Sequence, residues 1–179
     1  MLLNFYEPGT ERVVFSTMSG ELTVTRRGGL YEMDFPSYEL RRVPVTEEMA
    51  AAFGASPAEA YMGRDLLCVF DDERTVREME PDMDRLRDLP GLLQHVTARG
   101  AGTDCVSRSF APKLSVQEDP VCGSGHCHIV PYWAARLGRT DITAYQASRR
   151  GGTLYCRDCG RRITIAGEAV LFAESELHI

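Results

Sequence analysis

Val13, Val14 and Phe15 open a short β-prone run, Leu22 and Val24 alternate with polar neighbours, and Tyr31, Met33 and Phe35 alternate with Glu32 and Asp34. A period of two sends successive side chains to opposite sheet faces. With turns at Ser19-Gly20 and Gly28-Gly29, these runs predict a three-strand meander ended by Pro36. No amphipathic helix precedes it, so its apolar face has no evident cover. Residues 37–44 read as a linker. Thr46 then caps a short helix with Glu47 and Glu48 in its first turn and Gly54 just past its end. The unbroken apolar run from Leu66 to Phe70 suits a strand buried on both faces and opens a second sheet. Asp71 or Asp72 caps a helix through Met79, and Pro81 fits the first position of another, in which Met83, Leu86 and Leu89 recur at intervals of three. Leu92 to Thr97 and Thr103 to Phe110 are strands around a turn at Gly100 to Gly102.

Ile129, Trp133 and Leu137 lie four apart and Gly138 follows, the pattern of a helix buried against a sheet. A cap at Ser124 would put Pro131 well inside that helix, at a cost of about 3 kcal/mol. Two alternatives follow: a kinked helix, or one that starts near Pro131. Strands are expected over Ile142 to Ala147, Thr153 to Arg157, Arg161 to Ala166 and Glu168 to Phe172. The outline is α+β: strand remnants over residues 1–36, a linker over 37–44, and a lobe over 45–179 of mostly antiparallel strands around one helix.

Composition narrows the function classes. The 179 residues are 44% hydrophobic and 26% charged, with a net charge of -6. The acidic balance argues against a nucleic-acid partner, whose affinity comes from clustered positive charge. No run approaches the ~18 apolar residues of a membrane span, and the opening lacks a basic leader. The expectation is a cytoplasmic protein whose six cysteines stay reduced.

Reactive groups crowd into Glu118 to Cys127. Gly123 and Gly125 let the backbone approach a ligand, and N–H groups at a helix start have no internal acceptor, a natural carboxylate or phosphate site. Asp119, stiffened by Pro120, could orient a substrate amine or hydroxyl. Ser124 could bind an anion or cap the helix, and Cys122 could shuttle a proton if the helix start lowers its pKa. Set against this, Asp119 is also an ordinary turn carboxylate, Ser124 an N-cap, and Cys122 a small buried residue.

Other candidates are weaker. Cys156 and Cys159 form a lone CxxC on a hairpin turn, and a zinc site would have to borrow Cys122, His126, Cys127 or His128. His126 and His128, two apart, point to different sides of a helix. His95 and His178 have no chemical neighbours in sequence. Arg108 shares a strand face with Val106 and Phe110, so it points inward and pairs with a carboxylate such as Glu118.

The run Ser107-Arg108-Ser109-Phe110-Ala111-Pro112, then Glu118 to Cys127, then Val130-Pro131-Tyr132-Trp133 resembles the signature of the PhzF-like family of phenazine-biosynthesis isomerases. Ser19-Gly20-Glu21-Leu22, Met33-Asp34-Phe35-Pro36 and Arg162-Ile163-Thr164-Ile165-Ala166-Gly167 add to it. The resemblance implies a diaminopimelate-epimerase-like fold, two lobes around a ligand cleft. It also implies cofactor-independent proton transfer at carbon on a small carboxylate, with no metal, and commonly a homodimer. Asp119 resembles the family's substrate-orienting aspartate, and Gly123, Ser124 and Gly125 its carboxylate-binding turn. Cys122 stands where phenazine enzymes carry Thr and where related epimerases and racemases carry a catalytic cysteine. The family also has an amino-terminal segment with a catalytic glutamate and a Gly-His-Ala-Thr helix start, and Met1 aligns just after it. A truncated chain, half of a split protein, and a remnant that binds without catalysis are the three accounts of that difference.

Overall fold

The computed structural model describes residues 2–18 and 20–176, so Ser19 of the first turn and His178 lie outside the described residues. The predicted meander forms as β1 (Arg12–Thr17), β2 (Gly20–Arg27) and β3 (Leu30–Pro36), paired antiparallel. Residues 37–44 hold more than a linker. They contain β4 (Arg41–Val43), which pairs with β5 (Glu59–Met62), a strand whose four residues are too few to show a period. Between them α1 (Glu47–Phe53) is capped by the Thr46 side chain and ended by Gly54 at φ 71°, a left-handed position suited to glycine.

The apolar run becomes β6 (Leu66–Val69), buried throughout. Asp72 caps α2 (Glu73–Glu78), and Asp82 caps α3 (Met83–Asp88) by accepting from the N–H groups of Asp84 and Arg85, so Met83 and not Pro81 takes the first helical position. Pro81 therefore precedes the helix, because a side-chain acceptor closes the first turn one residue later. Next come β7 (Gln94–Arg99), β8 (Cys105–Ala111) and β9 (Val116–Glu118). The helix α4 spans Gly123–Leu137, followed by β10 (Asp141–Gln146), β11 (Gly152–Asp158) and β12 (Arg162–Gly167).

Pro131 sits inside α4 without ending it. A proline there leaves the carbonyl of Cys127, four residues back, without its usual donor. The Tyr38 N–H fills that vacancy at 3.2 Å, so the helix begins at Gly123 and runs unbroken to Leu137. The strand expected over Glu168 to Phe172 does not form. Its predecessor β12 is already paired on one side with β11 and on the other with β3, which leaves no open edge to receive it.

That β3–β12 pairing also joins the meander to the rest. Instead of a second sheet opening at Leu66, the described strands form one hydrogen-bonded sheet in the order β1-β2-β3-β12-β11-β10-β8-β7-β6-β5-β4, with β9 on β8. Only β6–β7 and β8–β10 pair parallel. On one face of β7 and β8, Val96, Ala98, Val106 and Phe110 pack with α1, α2 and α3. The other face meets α4, whose Cys127, Ile129, Val130 and Trp133 pack with Cys105, Ile142, Ala144 and Ile163. A polar seam runs through that second interface. His95, Thr97, Ser107 and Ser109 are all fully buried there.

Candidate functional site

The start of α4 is shaped by side chains from distant strands. Cys122, not Ser124, is the N-cap: its Sγ accepts the Gly125 N–H at 3.3 Å, with Ser124 Oγ 3.5 Å away. Gln146, at the end of β10, clamps the turn. Its Nε2 donates to the Asp119 carbonyl at 2.5 Å and its Oε1 accepts the Cys122 N–H at 2.7 Å. The Asp119 N–H donates to the Ser109 carbonyl, Asp119 Oδ1 accepts from the Val121 N–H at 3.0 Å, and the Ser148 hydroxyl donates to the Pro120 carbonyl at 2.6 Å.

Asp119, Gly123 and Ser124 are half-buried, whereas Cys122 is 2% exposed. The N–H groups of Gly123 and Ser124 have no acceptor within the helix, and the helix dipole adds partial positive charge there. A cavity of about 530 Å³ flanks the turn, lined by Glu118 and Pro120 together with Arg149 and Arg150. A larger cavity, about 860 Å³, lies further along α4 between Tyr38, Pro131, Tyr132 and Arg136. Neither cavity is lined by Asp119, Cys122, Gly123, Ser124 or Gly125, and the smaller one adjoins the turn through Glu118 and Pro120.

Beneath the turn lies a buried hydrogen-bonded layer. Asp65 Oδ1 accepts from the N–H groups of Leu92 and Leu93, each at 3.2 Å, and Oδ2 accepts from Arg64 Nε at 3.0 Å and Nη2 at 2.5 Å. His95 Nε2 faces Asp65 Oδ2 at 3.4 Å, and its Nδ1 is 2.9 Å from Ser109 Oγ. His126 Nδ1 donates to the Cys122 carbonyl at 2.8 Å. His128 Nδ1 donates to the Ser124 carbonyl at 3.1 Å, while its Nε2 accepts the Asp65 N–H at 3.1 Å. These bonds fix the neutral tautomers of both α4 histidines, since a carbonyl can only accept.

Burial pushes the Cys122 thiol above its ordinary value, opposed by hydrogen bonds from Ser124, Gly125 and Ser109 and reinforced by the Asp119 carboxylate. The helix start therefore does not make this a resting thiolate. Burial also drives His126 and His128 down to about 4. For Asp65 burial works upward, but hydrogen bonds from His95 and Arg64 outweigh it and hold the carboxyl well below the usual range.

Asp65, His95 and His128 have ligand atoms within 4.8 Å of one another. Those atoms are already engaged, with Arg64 on the carboxylate and a backbone N–H on His128 Nε2, so the set fits a hydrogen-bond network better than a cation. In the CxxC, Cys156 is buried in the core and Cys159 is exposed beyond the end of β11. Arg108 pairs with Glu118 through two bonds, at 2.7 and 3.0 Å, as the strand face predicts.

Comparison with known proteins places the chain. Residues 1–175 match the PhzC-PhzF family, described as phenazine biosynthesis-like protein. The chain belongs to this family. An uncharacterised isomerase of Pseudomonas aeruginosa is 42% identical over all of the chain and 69% of its own length. Phenazine biosynthesis-like domain-containing protein 2 of Mus musculus is 32% identical over 92% of the chain and 65% of its own. The crystal structure of a PhzF-family phenazine biosynthesis protein from Enterococcus faecalis superposes with a TM-score of 0.95 at 45% identity, covering 99% of the chain and 69% of that protein. A hydroxyproline epimerase of Agrobacterium vitis shares the fold at 12% identity and a TM-score of 0.53. The fold is thus the α+β, epimerase-like one that the PhzC-PhzF signature implies. The chain spans about two thirds of the length of these relatives.

Within this PhzC-PhzF fold, Asp119, Cys122, Gly123, Ser124 and Gly125 all gather at one turn. His95, Ser109, Asp65 and Gln146 were missed by sequence reasoning. Gln146 had a usable signal: Ile142, Ala144 and Gln146 alternate as the inward residues of β10, so an amide stands where an apolar side chain is expected.

Proposed function

We propose that this chain is part of a cofactor-independent isomerase that moves a proton at a carbon next to the carboxylate of a small substrate. The observation that carries the reading is the presence at one helix start of the Asp119 carboxylate, the Cys122 thiol and the N–H groups of Gly123 and Ser124, which have no acceptor within the helix. The N–H groups and the Ser124 hydroxyl bind the substrate carboxylate, aided by the dipole of α4. Asp119 Oδ2 is directed at a substrate amine or hydroxyl, since Oδ1 is taken by the Val121 N–H. Cys122 exchanges the proton on one face of the carbon.

Isomerisation needs a second group on the opposite face. The family resemblance implies a glutamate on an amino-terminal segment, and we assign that role to it. The isomerase names of relatives and the carboxylate chemistry of the turn support this account.

Deuterium incorporation from solvent into small 2-amino and 2-hydroxy carboxylates tests it. In a chain joined to such a segment, Asp119→Asn and Ser124→Ala should each slow exchange by about 10²- to 10⁴-fold. Unchanged exchange in both variants would remove the site assignment. Full exchange by the 179-residue chain alone would remove the need for the second segment. Binding of the carboxylate without exchange in the joined chain would instead favour a catalytically inactive binding protein.

A further inference from the structure

The connection between β10 and β11 is tied to the turn at the start of α4 by more than the Gln146 clamp. Ser148 Oγ donates to the Pro120 carbonyl at 2.6 Å and accepts the Gly151 N–H at 3.1 Å. Gly151 stands at φ 71°, and a Cβ on Gly152 would lie 2.5 Å from Val121 Cγ2. The backbone on both sides of Arg149 and Arg150 is therefore fitted closely to the turn. The two side chains are not. Both residues are exposed, and among the described residues neither guanidinium has a hydrogen bond, an ion pair or an aromatic ring for a partner. Elsewhere in this chain of net charge -6, arginines are spent on carboxylates, as Arg64, Arg108, Arg136 and Arg162 are. Arg149 and Arg150 line the cavity of about 530 Å³ beside the turn. Glu118 lines it too, but two bonds from Arg108 already hold that carboxylate. The forked donors of a guanidinium match a carboxylate or a phosphate. Gly123, Ser124 and Gly125 do not line this cavity, so an anion held in it is not the carboxylate assigned to their N–H groups.

We propose that the substrate carries a second anionic group, which Arg149 and Arg150 hold in this cavity while the first carboxylate rests on the start of α4. The inference rests on that first carboxylate being bound there. The ligand class is a small 2-amino or 2-hydroxy acid with a further carboxylate or phosphate at its far end. Arg149 and Arg150 set specificity and do not touch the reacting carbon. Because Gln146 and Ser148 fix the arginine-bearing connection against the turn, the span between the two anion sites is set by the fold, and the length of the acid is selected along with its charge.

Calorimetric titration of the 179-residue chain with acids and their amides tests this. Aspartate is compared with asparagine and glutamate with glutamine, pairs of one shape that differ in one charge, and O-phosphoserine supplies a phosphate in place of the second carboxylate. An acid should bind about tenfold or more tightly than its amide, the worth of hydrogen bonds to a charged group. Tighter binding of O-phosphoserine than of either dicarboxylate would identify the second group as phosphate, and the reverse order as carboxylate. Replacing both Arg149→Ala and Arg150→Ala should bring the acid down to the affinity of its amide and leave the amide unchanged. Arg41→Ala with Arg42→Ala, on β4, removes the same charge elsewhere and should keep the preference. The proposal is overturned if acid and amide bind alike, if neither dicarboxylate nor O-phosphoserine binds, or if the preference survives loss of Arg149 and Arg150. It is equally overturned if that loss weakens acid and amide together, the mark of a merely structural connection, or if the β4 variant abolishes the preference as fully. Deuterium exchange is measured separately, so a preference read by the arginines without exchange would sink the isomerase reading and leave this recognition standing. Exchange without the preference would do the reverse.

Discussion

Gly125 stands where a Cβ would meet His95 Nδ1, His95 Cε1 and Ser109 Oγ, all at 2.9 Å. These atoms are fully buried and bonded to one another, so none can retreat cheaply. Gly125→Ala should destabilise the chain by about 1–3 kcal/mol in urea unfolding, the range for overpacking a closed core. Gly123→Ala should cost less, because its Cβ would meet only the Phe35 ring, at 3.4 Å. The residues of this turn were legible in the sequence, since carboxylate, thiol, hydroxyl and glycines crowd together with no hydrophobic period to explain them. His95, Ser107 and Ser109 were not. On β7 and β8 they alternate with Val96, Val106 and Phe110, a pattern that suggests a solvated face. The face is covered by α4, and nothing local says so.

Strand β8 carries the opposite lesson at the scale of elements. Arg108, flanked by Val106 and Phe110, was readable as an inward charge because an unpaired guanidinium there would be untenable. It bonds Glu118 on β9 twice, the carbonyl of Val76 in α2 and that of Met79 just past its end. Replacing Glu118 with Ala strands the charge and frees β9, so the loss should be on the order of 2–4 kcal/mol, between an exposed and a fully buried pair. Chemical denaturation would measure it, and a loss below half a kilocalorie (~0.5 kcal/mol) would mark the pair as solvated. Helix α4 shows why element boundaries escape a local reading. Pro131 argued against a helix begun near Ser124, and the objection is met by the Tyr38 N–H, ninety-odd (~90) residues upstream. The strand expected after Gly167 had good β-prone residues and no edge to join.

Acid sensitivity belongs to the whole molecule. His126 and His128 have folded-state values of about 4 against an ordinary 6.5, so the unfolded chain takes up protons first as pH falls. Stability should therefore decline from about pH 6.5 down to about pH 4, by on the order of 3 kcal/mol per ring at most. Asp65, whose carboxyl is depressed, adds a further loss once pH falls below the ordinary carboxylate range. Urea midpoints across this window should show the slope, and His126→Asn, which keeps a donor toward the Cys122 carbonyl, should flatten it. A flat profile in the parent chain would mean the rings are protonated in the folded state. The α+β class and the central helix were legible from periodicity alone, whereas the joining of β3 to β12 was not, because strands more than a hundred (~100) residues apart share no local signal. Gln146 adds a consequence in time. Chains are made from the amino terminus onward, and α4 is complete at Leu137 before β10 exists. Two of the bonds that shape its first turn come from residue 146, so a nascent chain can own the helix and still lack part of the site. The geometry at its start waits on a strand that has yet to leave the ribosome.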